Sequence, residues 1–347
     1  MLVGQSAPDV IMTEMSQYAE WSARGALLDL TADIPSFCDG RELMPVPRQA
    51  FSRHSKFFAM PSNCSGYVLY YNSDALRQAG LTPQDFDTWE SLARLAPRLA
   101  RNSTTTSGTE FALLMPPAHL IFFGFGASLF DQPHQPTRVT AASPQAHAAL
   151  DYMRELWASG AVVPPDVVSD QGSYQLFRDG KLALYFDGRW RVPNFLGKTR
   201  FTWDVRPVPS GPAGRVSLHG GTGLAISKNS PHPEAARRFI HFYLSENGLR
   251  HVIQGGRYVP VFREMAYSEA FLNLQPPNHT RAFSETMEEG ASRYVLYAPG
   301  AAEVNRIFFS HMQQAQNEPT RPSSLILEAL QQDLERWLAR QKKKGLL

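Results

Sequence analysis

Asp187, Arg189 and Trp190 place a carboxylate, a guanidinium and an indole within four residues, directly after the apolar run Lys181–Phe186. A sugar offers an apolar C–H face and a rim of hydroxyls. An aromatic ring suits the first, and Asp, Asn or Arg suits the second. Gly188 allows a sharp turn after a strand, which would bring the Trp190 ring to a cleft edge. Asn63 and Ser65, in the segment Pro61–Gly66 read as a loop between two apolar runs, can both donate and accept hydrogen bonds. Thr13, Glu14 and Ser16 follow the short run Pro8–Met12, at the strand end where open α/β sheets bind ligands. The glycines of His219-Gly220-Gly221 would let a ligand approach backbone amides closely. His119 and the pair Arg257-Tyr258 complete the candidates. Arg189 and Arg257 keep a phosphorylated polyol open as a ligand, because both could pair with phosphate.

No catalytic constellation accompanies these groups. Gly197-Lys198-Thr199 matches the end of a phosphate loop, but Val192 stands where the loop needs glycine. The ten histidines show no zinc-helix spacing, and no nucleophile elbow occurs. Cys64 is a conceivable thiol nucleophile without a base motif, and two cysteines make neither a disulfide framework nor a four-thiolate zinc site. Neither a catalytic nor a metal-binding residue is expected, and no cofactor. A hydrolase using Asp187 or Glu14 is the enzymatic alternative. Charge is nearly balanced, 34 Lys and Arg against 32 Asp and Glu, which argues against a nucleic-acid binder.

The elements that must position these groups alternate short apolar runs with amphipathic helices, which is α/β grammar. Strands are expected at Pro8–Met12, Phe57–Met60, Tyr67–Tyr71, Lys181–Phe186, Trp203–Val208 and Gly221–Ser227. Asn72 or Ser73 should cap the helix Asp74–Ala79, and Thr88 the helix Trp89–Ala100, whose Trp89 reads as core. A Ser/Thr tract, Asn102–Gly108, then precedes Phe111–Phe130, twenty residues without Asp, Glu, Lys or Arg. Paired prolines 116 and 117 make that window a strand, an aromatic loop and a short helix rather than a membrane span. A helix opened by Ser143-Pro144 and closed by Gly160, and a helical tail ending in Ser324–Arg340, complete the pattern.

Several fragments in order resemble the carbohydrate class of extracellular solute-binding proteins, the maltose-binding-like receptors of ATP-binding-cassette importers. They are Pro8-Asp9-Val10-Ile11, Gly25-Ala26-Leu27-Leu28-Asp29-Leu30, Pro61 ahead of Leu69-Tyr70-Tyr71-Asn72, and Thr88-Trp89. Further on come Phe177-Arg178-Asp179-Gly180-Lys181, Phe186-Asp187-Gly188-Arg189-Trp190, Pro207-Val208-Pro209-Ser210-Gly211, Gly220-Gly221-Thr222-Gly223-Leu224 and Val259-Pro260. The resemblance covers residues 8–260 and implies a two-lobed periplasmic-binding-protein fold of type II. Its first lobe would comprise 1–110 and 218–258, its second 111–217 and 259–347. It further implies a sugar, oligosaccharide or polyol held in the interlobe cleft, with Trp190 as the stacking platform. Partners would be membrane permease subunits with a cytoplasmic ATPase, the protein itself monomeric and periplasmic or anchored at the cell surface. Family members normally begin with a signal peptide and a strand–helix unit ahead of the Pro-Asp-Val-Ile strand. The chain therefore reads as N-terminally truncated, and a non-binding remnant or a sensor-type receptor partner is the alternative function.

Overall fold

The computed structural model describes residues 8–100 and 109–347, so the tract Asn102–Gly108 lies outside the described residues. Ten strands occur among them: β1 Val10–Glu14, β2 Ser52–Arg53, β3 Lys56–Phe57, β4 Met60–Gly66, β5 Val68–Asn72, β6 Phe111–Leu113, β7 Leu182–Asp187, β8 Trp203–Arg206, β9 Ser217–Ile226 and β10 Ser292–Arg293. β2 and β3 form an isolated hairpin. The others build two sheets. In one, β9 is the central strand, flanked by β1 and β10 on one side and β4 on the other. The second has the order β6-β7-β5-β8.

The segment Pro61–Gly66, expected as a loop, lies within the strand β4, every residue of which is buried. Proline and glycine signalled a break there, yet proline is tolerated at a bulge, and the β4–β9 register shifts between Pro61 and Asn63. The chain then changes sheet at a single residue, Tyr67, and returns through residues 207–216. The two crossings are tied together: the Tyr67 N–H donates to the Leu218 carbonyl at 2.8 Å, and Ser217 Oγ donates to the Tyr67 carbonyl at 2.7 Å. The segment 68–110 was assigned to the first lobe, but β5 pairs with β7 and β8 and so belongs to the second sheet.

Punctuation largely falls where the residue types place it. Asn72 Oδ1 accepts from the Asp74 and Ala75 amides, and Thr88 Oγ1 from the Ser91 amide. Ser143 Oγ caps the helix Pro144–Ala158, and Gly160 follows it with φ +70°. The apolar window resolves into β6 and the helix Ala118–Gly124. No helix among the described residues is long and apolar enough to cross a membrane. Trp89 is core, stacked on Phe186 at 5.4 Å. The tail helices Ala301–Asn317 and Ser323–Lys343 close the largest core, with Trp337 against Phe130.

Candidate functional site

The C-terminal end of β1, the middle of β4 and β9, the turn after β7 and the helix Ala301–Asn317 surround a cavity of about 510 Å³ at the junction of the two sheets. Eight of the sequence candidates line it: Glu14, Asn63, His119, Trp190, His219, Gly220, Gly221 and Tyr258. Eight residues that were not singled out join them. Of these, Tyr67, Thr222, Tyr294, Asn305 and Phe309 bring aromatic faces or hydrogen-bonding groups.

Trp190 is half-buried, and its seat is built from glycines. A β-carbon on Gly188 would stand 2.3 Å from the indole, whereas one on Gly220 would meet it at an ordinary 3.6 Å. Tyr67 meets the indole edge-to-face, with centroids 5.6 Å apart. Gly221 has a different reason to be glycine. Its β-carbon would fall 2.5 Å from the Asn63 carbonyl, so it permits the close approach of β9 to β4.

Asp187, Arg189 and Ser65 are placed behind the platform rather than in the cavity lining. Asp187 is buried and accepts from the Gly188 amide at 2.8 Å, from Arg191 Nε at 2.6 Å and from the Tyr185 hydroxyl. Tyr70, from the neighbouring strand, donates to the Gly188 carbonyl at 2.8 Å. Ser65 Oγ accepts from the Arg189 amide at 3.2 Å, so a strand of the first sheet anchors the turn carried by the second. Five hydrogen bonds thus fix the turn that carries the indole. With three donors already on Asp187, the residue is spent on orientation. Neither Thr13, fully buried, nor Ser16 lines the cavity. Arg257 is exposed and outside the lining.

The Arg189 side chain is fully buried over the rings of Phe271 and Phe283, at 4.5 and 5.3 Å. Its three nitrogens have no hydrogen-bond partner in the protein, and burial lowers its pKa to about 10. An uncompensated buried charge costs more than cation–π contact returns. Arg189→Met should therefore raise stability by about 1–2 kcal/mol in urea denaturation. A loss of stability would show that the guanidinium is satisfied in solution.

His219 and His119 are buried neutral groups. Ser292 Oγ donates to the Thr286 carbonyl, so it accepts the His219 Nδ1 proton at 2.8 Å, leaving Nε2 to accept from the Tyr297 hydroxyl at 2.7 Å. His119 donates from Nε2 to Asn305 Oδ1 at 3.1 Å and stacks on Phe308 at 4.0 Å. Desolvation lowers both pKa values to about 3. Asn63 gives its amide nitrogen to Thr222 Oγ1 at 2.5 Å, which leaves its side-chain carbonyl oxygen available as an acceptor. Cys64 is buried in β4, and burial pushes its thiol pKa well up, which removes the nucleophile reading. No group of three metal-ligating side chains occurs among the described residues.

Thr222 lies inside the fragment Gly220-Gly221-Thr222-Gly223-Leu224 and could have been found from it. Tyr294, Asn305 and Phe309 lie beyond residue 260, where no local signal marks them; they reach the cavity only because the helical tail folds back.

The model of the family described as bacterial extracellular solute-binding protein matches residues 2–248. The maltodextrin-binding protein of Bacillus subtilis is 25% identical over 248 residues, 68% of this chain and 56% of that protein. The arabinooligosaccharide-binding protein of Bacillus subtilis is 21% identical, over 70% of this chain and 57% of its own length. The chain thus matches little more than half the length of these curated relatives. Among solved structures, an ABC substrate-binding protein from Listeria monocytogenes in complex with cycloalternan superposes with a TM-score of 0.83. It is 21% identical, and the match covers 100% of this chain and 87% of that one. Maltose-bound MalE3 of T. maritima superposes with a TM-score of 0.77 at 22% identity, over 96% of this chain and 85% of that one. These likenesses establish the two-lobed α/β fold of the maltose-binding type.

Proposed function

Because the chain belongs to the bacterial extracellular solute-binding protein family, a family of binding proteins rather than enzymes, we propose that it captures a carbohydrate between its two sheets for an ATP-binding-cassette importer. The observation that carries this reading is Trp190: an indole left half-exposed to a cavity of about 510 Å³, on a turn pinned from both sheets. Such a ring stacks on the C–H face of a sugar. Around it, Asn63, Thr222, Asn305 and Glu14 supply groups for the hydroxyls. The names of the relatives, which bind maltodextrin and arabinooligosaccharide, support the same ligand class.

Tyr67 and residues 207–216 are the thin connections between the sheets, so closure about them would enclose the ligand and bring the two lobes into the arrangement presented to a permease. The proposed setting is outside the cytoplasmic membrane, as a monomer that meets permease subunits. A phosphorylated polyol is not favoured, since Arg189 is buried on two phenylalanines and Arg257 is outside the lining. Isothermal titration against a carbohydrate panel of mono- and oligosaccharides tests the proposal. Saturable heat is expected with at least one member, and absence of heat with every member would sink it.

A further inference from the structure

The charge of the cavity narrows the ligand further, on the premise that the site binds carbohydrate. Apart from its phenols, which stay protonated near neutral pH, only Glu14, His119 and His219 among its described lining residues can carry charge, and no lysine or arginine is present. Both histidines are wired as neutral tautomers. The guanidinium of Arg189 is turned onto Phe271, and that of Arg191 is held by Asp187. The cavity therefore carries one net negative charge.

That charge is positioned at the polar wall. Glu14 pairs in register with Thr222, whose hydroxyl receives the Asn63 amide. Its charge also reaches Tyr294, whose phenol burial pushes up, a hydrogen bond with Ser16 pulls back, and Glu14 raises to a lesser degree. Aromatic faces carry negative quadrupole density, and Tyr67, Trp190, Tyr258 and Tyr294 line the same space. An anionic sugar would meet repulsion with no compensating cation. A protonated amine gains both the carboxylate and the rings. We infer that the site prefers a carbohydrate bearing a protonated amine, such as a glucosamine unit, over its neutral counterpart.

The test is titration calorimetry at pH 6.5 with mono- to trisaccharides of α- and β-linked glucose type, differing only in hydroxyl, acetamido or amino substitution at carbon 2. The amino form should bind about three- to tenfold more tightly than the hydroxyl form of the same length and linkage. The ratio should shrink as salt rises, through screening of the ion pair. Glu14→Gln should bring it to within about twofold, which a general loss of folding would not do. Equal or tighter binding of the hydroxyl or acetamido form overturns this inference and leaves the carbohydrate reading standing. No binding by any member overturns this inference, and the carbohydrate reading falls with it only if the wider panel of mono- and oligosaccharides also gives no heat.

Discussion

Trp190→Ala should weaken the best carbohydrate ligand by about 30- to 100-fold, the loss expected when a central aromatic anchor is truncated. The ring is half-exposed, and it packs close to Gly188 and Gly220 and edge-to-face with Tyr67. Stability should therefore change far less than affinity. Trp190→Phe keeps a stacking face of smaller area and should lose only about three- to tenfold. Calorimetric titration of both variants, beside their thermal unfolding, separates platform from packing. A loss below about threefold for the alanine variant would mean that the ligand sits elsewhere. The turn predicts its own rigidity, because Asp187, Tyr70 and Ser65 hold it through hydrogen bonds that do not involve the indole.

The second large effect is on stability against pH. His119 and His219 have folded-state pKa values lowered to about 3, whereas an unfolded histidine titrates near 6.5. Between those values the unfolded chain binds more protons, so stability falls as pH falls. Their contribution is complete above pH 6.5 and is lost on acidification toward pH 3. From pH 7 to pH 5 the loss should be about 2–4 kcal/mol for the pair. Asp29 and Asp131, which side-chain hydrogen bonds from Thr31 and Thr137 hold down to about 2, give up stability only at more acidic pH, which leaves the upper window to histidine. His134, lowered by partial burial, acts in the same direction. Urea denaturation at pH 7 and pH 5 reads the difference. The double variant His119→Asn, His219→Asn should flatten it; an unchanged slope would mean that both rings are solvated. Since both rings line the cavity, its shape and the neutrality of its two histidines belong to the same pH range.

How much of this was legible depended on the range over which each cause acts. Helix caps were readable because they act within one turn: Asn72, Thr88 and Ser143 carry their own acceptor to the adjacent amides. The Asp187-Gly188-Arg189-Trp190 turn was also readable as a place where an indole meets a cleft. Which of its side chains faces the ligand was not. Asp187 and Arg189 offer the same polar groups whether they point to a sugar or into the protein, and only neighbours from β5, β4 and the segment near Phe271 decide it. β4 was mistaken for a loop because proline and glycine are local breakers, while the bulge that accommodates them is a property of its pairing with β9.

Residue order by itself determined the alternation of strands and helices, the capped starts, the absence of a recognisable catalytic motif and the presence of a sugar-suited aromatic turn. Those features rest on interactions between residues close in the chain. The sheet to which β5 belongs, the cavity wall supplied by Tyr294, Asn305 and Phe309, and the neutrality of the two histidines were decided only in three dimensions. Each depends on burial and on partners tens to hundreds of positions away. Desolvation and long-range hydrogen bonds have no local signature, so the side chains that surround the cavity become identifiable only once the sheets and the helical tail have packed.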